Sequence, residues 1–347
     1  MVIPCQFPKD VNDRVILTAP VSQTGSEDVL CSVGPDGDTW TIPTRRNLLK
    51  NVPILQELIS DGQTTIRLAN VDKRGFEQFI RCLECTKIKF TSVSTARTTL
   101  DVAYYFQYIP VVEYCVNYLD QHLCAENVLF VYQNLGNYCN NAHTYEPSAP
   151  LYNAQALTDT QARIQEICSY LLHNCLIVID AEAKQILTQE LVEELSYSEF
   201  LTIVSRNTMQ LKHELVVYEA VLRWGRCQCM KLHVPLSPAT MREILRELLY
   251  KVRYALMSKK EFTQEPANSQ ILKQEEIELI LAVFSRPKTI PTGQWADMNK
   301  PRCRPLAQPL FLSLRTKGTQ KKTGKPKLEK KEKFILTCLS AWVAIFD

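Results

Sequence analysis

ELSYSEFLTIVSRNTMQLKHELVVYEAVLRWGRCQCMK, residues 194–231, is the most patterned part of the chain. Leu211, Leu215, Tyr218 and Leu222 recur at spacings of four, three and four, which places them on one helix face. Val221 and Trp224 widen that face, so it points into a core. Ahead of it, Glu199, Phe200, Leu201, Ile203 and Val204 make a shorter, mostly apolar run, and Asn207-Thr208 supplies side chains that cap or break between two helices. The stretch therefore predicts a helical hairpin.

Working outward, three segments recur in a familiar order. They are VVYEAVLRW (216–224), LLYKVRYALMSKKEF (248–262) and ANSQILKQEE (267–276). Together they resemble the BACK domain of BTB-BACK proteins, most of all those that normally end in a PHR β-sandwich. The matching family segments read V-V-F-E-A-V-L-x-W, L-x-L-V-R-x-P-x-M-x-x-x-E-F and A-x-S-x-I-L-x-x-E-E.

The N-terminal part has a different pattern. DVLCSV (28–33) precedes the dense turn signal Gly34-Pro35-Asp36-Gly37-Asp38 and then Thr39–Ile42, which predicts a hairpin. Two helical segments over about 44–60 and a short strand at Thr64–Leu68 follow. An amphipathic helix over 72–85 then carries Phe76, Phe79, Ile80 and Leu83 on one face. This region resembles a BTB/POZ domain. Asp28-Val29 matches the opening of the first core hairpin, and Ile66 to Val71 matches I-x-I-P-D-V. Phe76 matches the aromatic that begins the next helix, and Cys115-Val116-Asn117-Tyr118-Leu119 matches C-V-N-F-L. Ala125-Glu126-Asn127 sits where the family passes from BTB into BACK.

Several positions depart from that pattern. Thr44-Arg45-Arg46 replaces the usual A-H-K, Cys82-Leu83-Glu84 replaces Y-x-Y, and the proline of Y-x-V-P is displaced by one in Phe106-Gln107-Tyr108-Ile109-Pro110. Ile59-Ser60-Asp61-Gly62 runs straight into the next strand, without the hydrophobic-x-Glu motif that cullin-binding members often carry.

The expected class is α+β: a BTB/POZ domain with a small sheet flanked by helices, an all-α BACK domain, and a largely disordered basic C-terminal tail. The expected boundaries are a leader at 1–27, BTB/POZ at 28–124, BACK at 125–285 and a linker with basic tail at 286–347. A breaker-rich surface-loop insertion near 137–160 carries Asn137, Asn140, Asn141, Pro147 and Pro150. No PHR domain is expected after residue 285.

Composition agrees with an intracellular chain. The net charge of +3 conceals a Lys-rich run over 315–333 with a local balance of +7, so the remainder is mildly acidic. Thirteen cysteines in 347 residues are below about 4%, too sparse for a disulfide scaffold, and reduced thiols are expected. The start MVIPCQFPKD lacks a basic n-region and an apolar h-region, so a cytoplasmic location, or a nuclear one, is expected. FILTCLSAWVAIF (334–346) would span about 20 Å as a helix, short of the roughly 30 Å of a bilayer core. The Lys-rich run reads as solvated rather than as a nucleic-acid or membrane contact.

The search for chemistry yields no enzyme. Ten glycines leave no phosphate-binding loop, the five histidines show no H-x-x-x-H, and Cys82-x-x-Cys85 and Cys227-x-Cys229 lack a second pair at zinc spacing. Cys139 and His143 have no third group to orient them. No cofactor, metal or small-molecule substrate is expected.

What remains is binding through surfaces. The resemblance implies dimers through the BTB domain. It also implies a face that, with the first BACK helices, grips the N-terminal helix of cullin-3, making the protein a ubiquitin-ligase adaptor for an unknown protein substrate. Carried over by position, the partner-binding candidates are Ile54, Leu58, Ile59, Phe106, Tyr108 and Val128. An oligomeric BTB-BACK scaffold with no ligase role is the alternative.

Overall fold

The computed structural model describes residues 28–59, 64–84, 89–139, 159–286, 291–302, 306–307 and 309–310. The leader, the loop at 140–158 and everything from 311 onward, including the Lys-rich run and 334–346, lie outside the described residues.

The chain begins with β1 (Asp28–Val33), where Val29, Cys31 and Val33 alternate inward into the core. Gly34 has φ 109°, and a Cβ there would sit 2.6 Å from the Asp38 carbonyl, so this tight turn requires glycine. The chain returns antiparallel as β2 (Trp40–Arg45), then crosses over through α1 (Arg46–Leu49) and α2 (Pro53–Leu58). It rejoins β1 in parallel as β3 (Thr65–Leu68), giving the strand order β2-β1-β3. The expected hairpin is present, but β2 runs on through Thr44-Arg45, and the two helical segments expected over about 44–60 are the short helices α1 and α2. Thr44, where the resemblance expects histidine, is buried, and its hydroxyl donates to the Ile42 carbonyl at 3.5 Å.

The sheet is covered by α3 (Lys73–Glu84), α4 (Val93–Tyr105) and α5 (Ile109–Gln121). Phe76, Phe79 and Ile80 are buried as the spacing predicts, while Leu83 is half-buried. Gly75 lets α3 lie against α4, since a Cβ would come within 2.7 Å of the Thr98 carbonyl.

The helical half contains α6 (Val128–Tyr132), a 3-10 turn at Leu135–Cys139, α7 (Asp159–Ala181), α8 (Ala183–Leu187) and α9 (Tyr197–Ser205). It continues through α10 (Leu215–Lys231), α11 (Pro238–Leu245), α12 (Leu248–Lys251), α13 (Lys259–Gln264) and α14 (Gln274–Ser285). The hairpin predicted around 194–231 is α9 and α10, and α9 opens on a capping box between Ser196 and Glu199.

Two details differ from the sequence reading. The buried face of α10 is Val217, Tyr218, Ala220, Val221, Trp224, Gly225 and Cys229, while Leu215 and Leu222 are half-buried and Leu211 precedes the helix. The Trp224 indole donates to the Leu195 carbonyl at 3.0 Å and packs against Phe200 and Tyr197. Asn207 and Thr208 lie in the break between α9 and α10, as expected, but cap neither helix. Asn207 accepts from the Arg253 guanidinium, and Thr208 donates to Asp180, which also receives Arg206 at 2.5 and 2.7 Å.

The globular pattern also extends past 285, where a linker was expected. Trp295, Met298 and Arg302 are buried, and the Ala255 amide donates to the Met298 carbonyl at 3.1 Å. Apart from one 3-10 turn at Gly293–Trp295, this stretch has no regular secondary structure, so it shows no periodicity to read.

α10 ends in a Schellman motif. The Val234 amide bonds the Cys229 carbonyl at 3.1 Å and His233 bonds Met230 at 3.2 Å, with His233 at φ 54°. His233 is exposed and pays the left-handed penalty of a side chain. His233→Gly is expected to raise the unfolding free energy by up to about 1 kcal/mol, read from the urea midpoint; an unchanged or lower midpoint would refute this strain.

Candidate protein-docking site

The turn between α4 and α5 is Tyr104-Tyr105-Phe106-Gln107-Tyr108. It is a second Schellman motif, with the Tyr108 amide on the Ala103 carbonyl and the Gln107 amide on Tyr104, both at 3.0 Å, and Gln107 at φ 50°. This geometry sends neighbouring aromatic rings in different directions. Phe106 turns into the core against Phe76, Phe79 and Tyr105, at centroid distances of 5.9, 5.6 and 5.0 Å. Tyr104 instead stacks on Tyr138 at 4.0 Å, tying α4 to the 3-10 turn after α6.

That stack is fixed electrostatically. Tyr138 donates to Asp101 Oδ1 at 2.5 Å, and the buried Arg97 pairs with Asp101, donates to the Gln133 carbonyl at 2.9 Å and lies over the Tyr138 ring. Burial pushes the Tyr104 and Tyr138 phenols up, with Arg97 opposing the shift at Tyr138, so both phenols remain neutral at physiological pH.

A groove of about 460 Å³ opens beside this stack. Asp101, Tyr104, Tyr105 and Gln107 line one wall, and Tyr138 with Gln161, Ile164 and Gln165 of α7 lines the other. Tyr105 is 55% exposed. Below the groove, Arg163 on α7 bridges Glu113 on α5 at 3.0 Å and Glu166 at 2.7 Å, so the two halves meet through charge as well as packing. The site offers aromatic faces, glutamine amides and the Asp101 carboxylate, suited to a polypeptide side chain.

The sequence candidates fare differently. Phe106 is 1% exposed, Val128 is fully buried on α6 and Ile59 is buried, so these three are core residues and not surface anchors. Their apolar character serves packing, and sequence pattern does not separate that from docking. Leu58 is 44% exposed on α2, and Ile54 and Tyr108 are half-buried. The structure brings Phe106 and Tyr108 together around Phe79 but leaves Ile54, Leu58 and Ile59 on a separate element. None of the six is among the described residues lining the groove. Tyr104, Tyr105, Tyr138 and Gln161 were not singled out, although the aromatic run YYFQY at 104–108 was a signal.

Several of the described cysteines are buried thiols. Burial pushes Cys31 up to about 11 and Cys82, Cys139 and Cys168 up to about 12, which suppresses the thiolate needed for nucleophilic or metal chemistry. Cys229 is buried with its sulfur 3.8 Å from that of Met241. Cys85 and His143 lie outside the described residues. Among the described residues no three His, Cys, Asp or Glu side chains converge on a metal-sized position. No described helix is long and apolar enough to cross a membrane.

Residues 161–265 match the family model for BACK, "BTB And C-terminal Kelch". This span runs from α7 through α13. The relatives match a longer part of the chain than this span. Human BTB/POZ domain-containing protein 6 is 27% identical over 263 residues, covering 74% of this chain and 43% of the relative. Human BTB/POZ domain-containing protein 3 is 26% identical over 267 residues, covering 75% and 45%. The Xenopus laevis form of protein 6 is 26% identical over 263 residues, covering 74% and 44%. The three-stranded sheet with its covering helices and the helical array that follows are thus similar to BTB/POZ domain-containing proteins and to the BACK model respectively. The chain spans less than half the length of the relatives it matches.

Proposed function

We propose that this BTB/POZ–BACK chain is a protein-interaction adaptor that grips a helix of cullin-3 and recruits a further protein to a ubiquitin ligase. The observation that carries this reading is the groove between the α4–α5 turn and α7, where exposed Tyr105 stands beside the fixed Tyr104–Tyr138 stack. A helix docks by placing side chains at i, i+3 or i+4, and i+7 into such a groove, and aromatic walls contribute much of the contact energy. Leu58, exposed on α2, is a second apolar anchor. The partner at the other end is an unknown protein rather than a small molecule.

Calorimetric titration of the full chain with the cullin-3 N-terminal region tests this. Binding in the micromolar range or tighter is expected. Tyr105→Glu and Leu58→Glu should each weaken it at least about tenfold, or about 1.4 kcal/mol, while melting as the parent does. If both variants bind like the parent, the groove assignment is wrong.

An oligomeric scaffold with no ligase role is supported by a different feature. β2 is an edge strand with Trp40 exposed at its start, the kind of edge through which a second copy can pair, although Pro43 lies in its middle. A dimer by light scattering that shows no heat with cullin-3 would favour it over the ligase reading.

A further inference from the structure

Asn174 lies in the middle of α7 and is 6% exposed. Its amide is fully used: Nδ2 donates to Asp120 Oδ1 at 2.7 Å and to the Leu310 carbonyl at 2.8 Å, and Oδ1 accepts from the Leu310 amide at 2.9 Å. The side chain thus meets both main-chain groups of one residue, as a neighbouring β-strand would. Asp120 Oδ1 on α5 accepts from Nδ2, which fixes the amide with Oδ1 toward the Leu310 N–H.

We propose that the α5–α7 face around Asn174 is a main-chain-reading peptide site, filled in cis by the chain's own residues 309–310 and open in trans to an extended, proline-preceded segment. This inference stands apart from the groove beside Tyr105.

Three observations support it. Among the described residues the hydrogen bonds of this contact go to main-chain atoms, which makes it tolerant of sequence, and the Leu310 side chain is 41% exposed, so part of it stays outside the contact. Pro309 presets an extended backbone at low entropic cost. The two ends of the strap are also held very unequally. Arg302 is buried and makes hydrogen bonds to Glu214 and to the carbonyls of Val204, Arg206 and Lys251. Leu310 has the Asn174 clamp. The strap is therefore anchored at its start and releasable at its end. The tether gives the cis segment an effective concentration on the order of millimolar, which a free peptide must overcome.

The test uses a fluorescent synthetic peptide of residues 304–312, titrated by anisotropy into the full chain. In the parent, weak binding is expected because the site is filled. Leu310→Pro removes the strap's own donor, and the peptide should then bind at least about tenfold more tightly. The same peptide methylated on the Leu310 nitrogen should not bind the Leu310→Pro chain, a control that leaves protein folding untouched. Adding Asn174→Leu should also abolish binding. Equal affinity of the methylated and plain peptides, equal affinity of the parent and Leu310→Pro, or no binding to Leu310→Pro at millimolar peptide would each overturn the proposal.

Discussion

Exchanging Arg302 for methionine is expected to lower the unfolding free energy by about 3–5 kcal/mol, read as a drop in the urea midpoint of the full chain. Arg302 is 2% exposed and its guanidinium meets Glu214 at 2.7, 3.0 and 3.2 Å, in a place water does not reach. Removing the cation leaves Glu214 as an uncompensated buried charge and takes the donors from three carbonyls. Glu214 would keep the Arg253 main-chain amide at 3.0 Å, which is a fraction of the lost attraction. Because the cost arises mainly from the orphaned partner, the double variant Arg302→Met with Glu214→Leu should recover much of it. A loss below about 1 kcal/mol in the single variant would mean that residues 291–302 are not part of the folded core.

Phe106→Ala is the second large effect, an expected loss of about 3–5 kcal/mol. Phe106 packs against Phe76 and Phe79, so truncation removes both the transfer energy and the ring contacts that hold α3 on the α4–α5 turn. Leu58→Glu should change stability by no more than about 0.5 kcal/mol, since Leu58 is half in water already. Thermal melting separates the two. If both variants melt alike, the assignment of Phe106 to the core and Leu58 to the surface fails. A partner lost on Phe106→Ala therefore reports unfolding, whereas a partner lost on Leu58→Glu reports contact.

These variants also mark how much was legible beforehand. The hairpin at Gly34-Pro35-Asp36-Gly37-Asp38, the faces of α3 and the pairing of α9 with α10 all follow from local rules: turn chemistry, a period near 3.6, and capping at Ser196. The packed strap at 291–302 did not follow, because Trp295, Met298 and Arg302 reach the core one at a time from irregular backbone. Of the six docking candidates, the burial of Phe106, Ile59 and Val128 shows the same limit: a large apolar residue looks identical in sequence whether it fills a core or lines a groove. The groove residues were harder still. Tyr104 and Tyr138 are 34 positions apart, and only the left-handed turn at Gln107 and the ion pair of Arg97 with Asp101 bring their rings together.

The order of residues along this chain was sufficient to determine most of the segments that become strand or helix and to place a BACK-like pattern after a small sheet flanked by helices. Periodicity and turn chemistry act over a few residues and need no distant partner. Which aromatic rings face outward, where the C-terminal strap docks, and how Asn174 comes to hold the backbone of Leu310 were decided only by tertiary structure. Each depends on contacts between residues tens to more than a hundred positions apart, and no local preference encodes them.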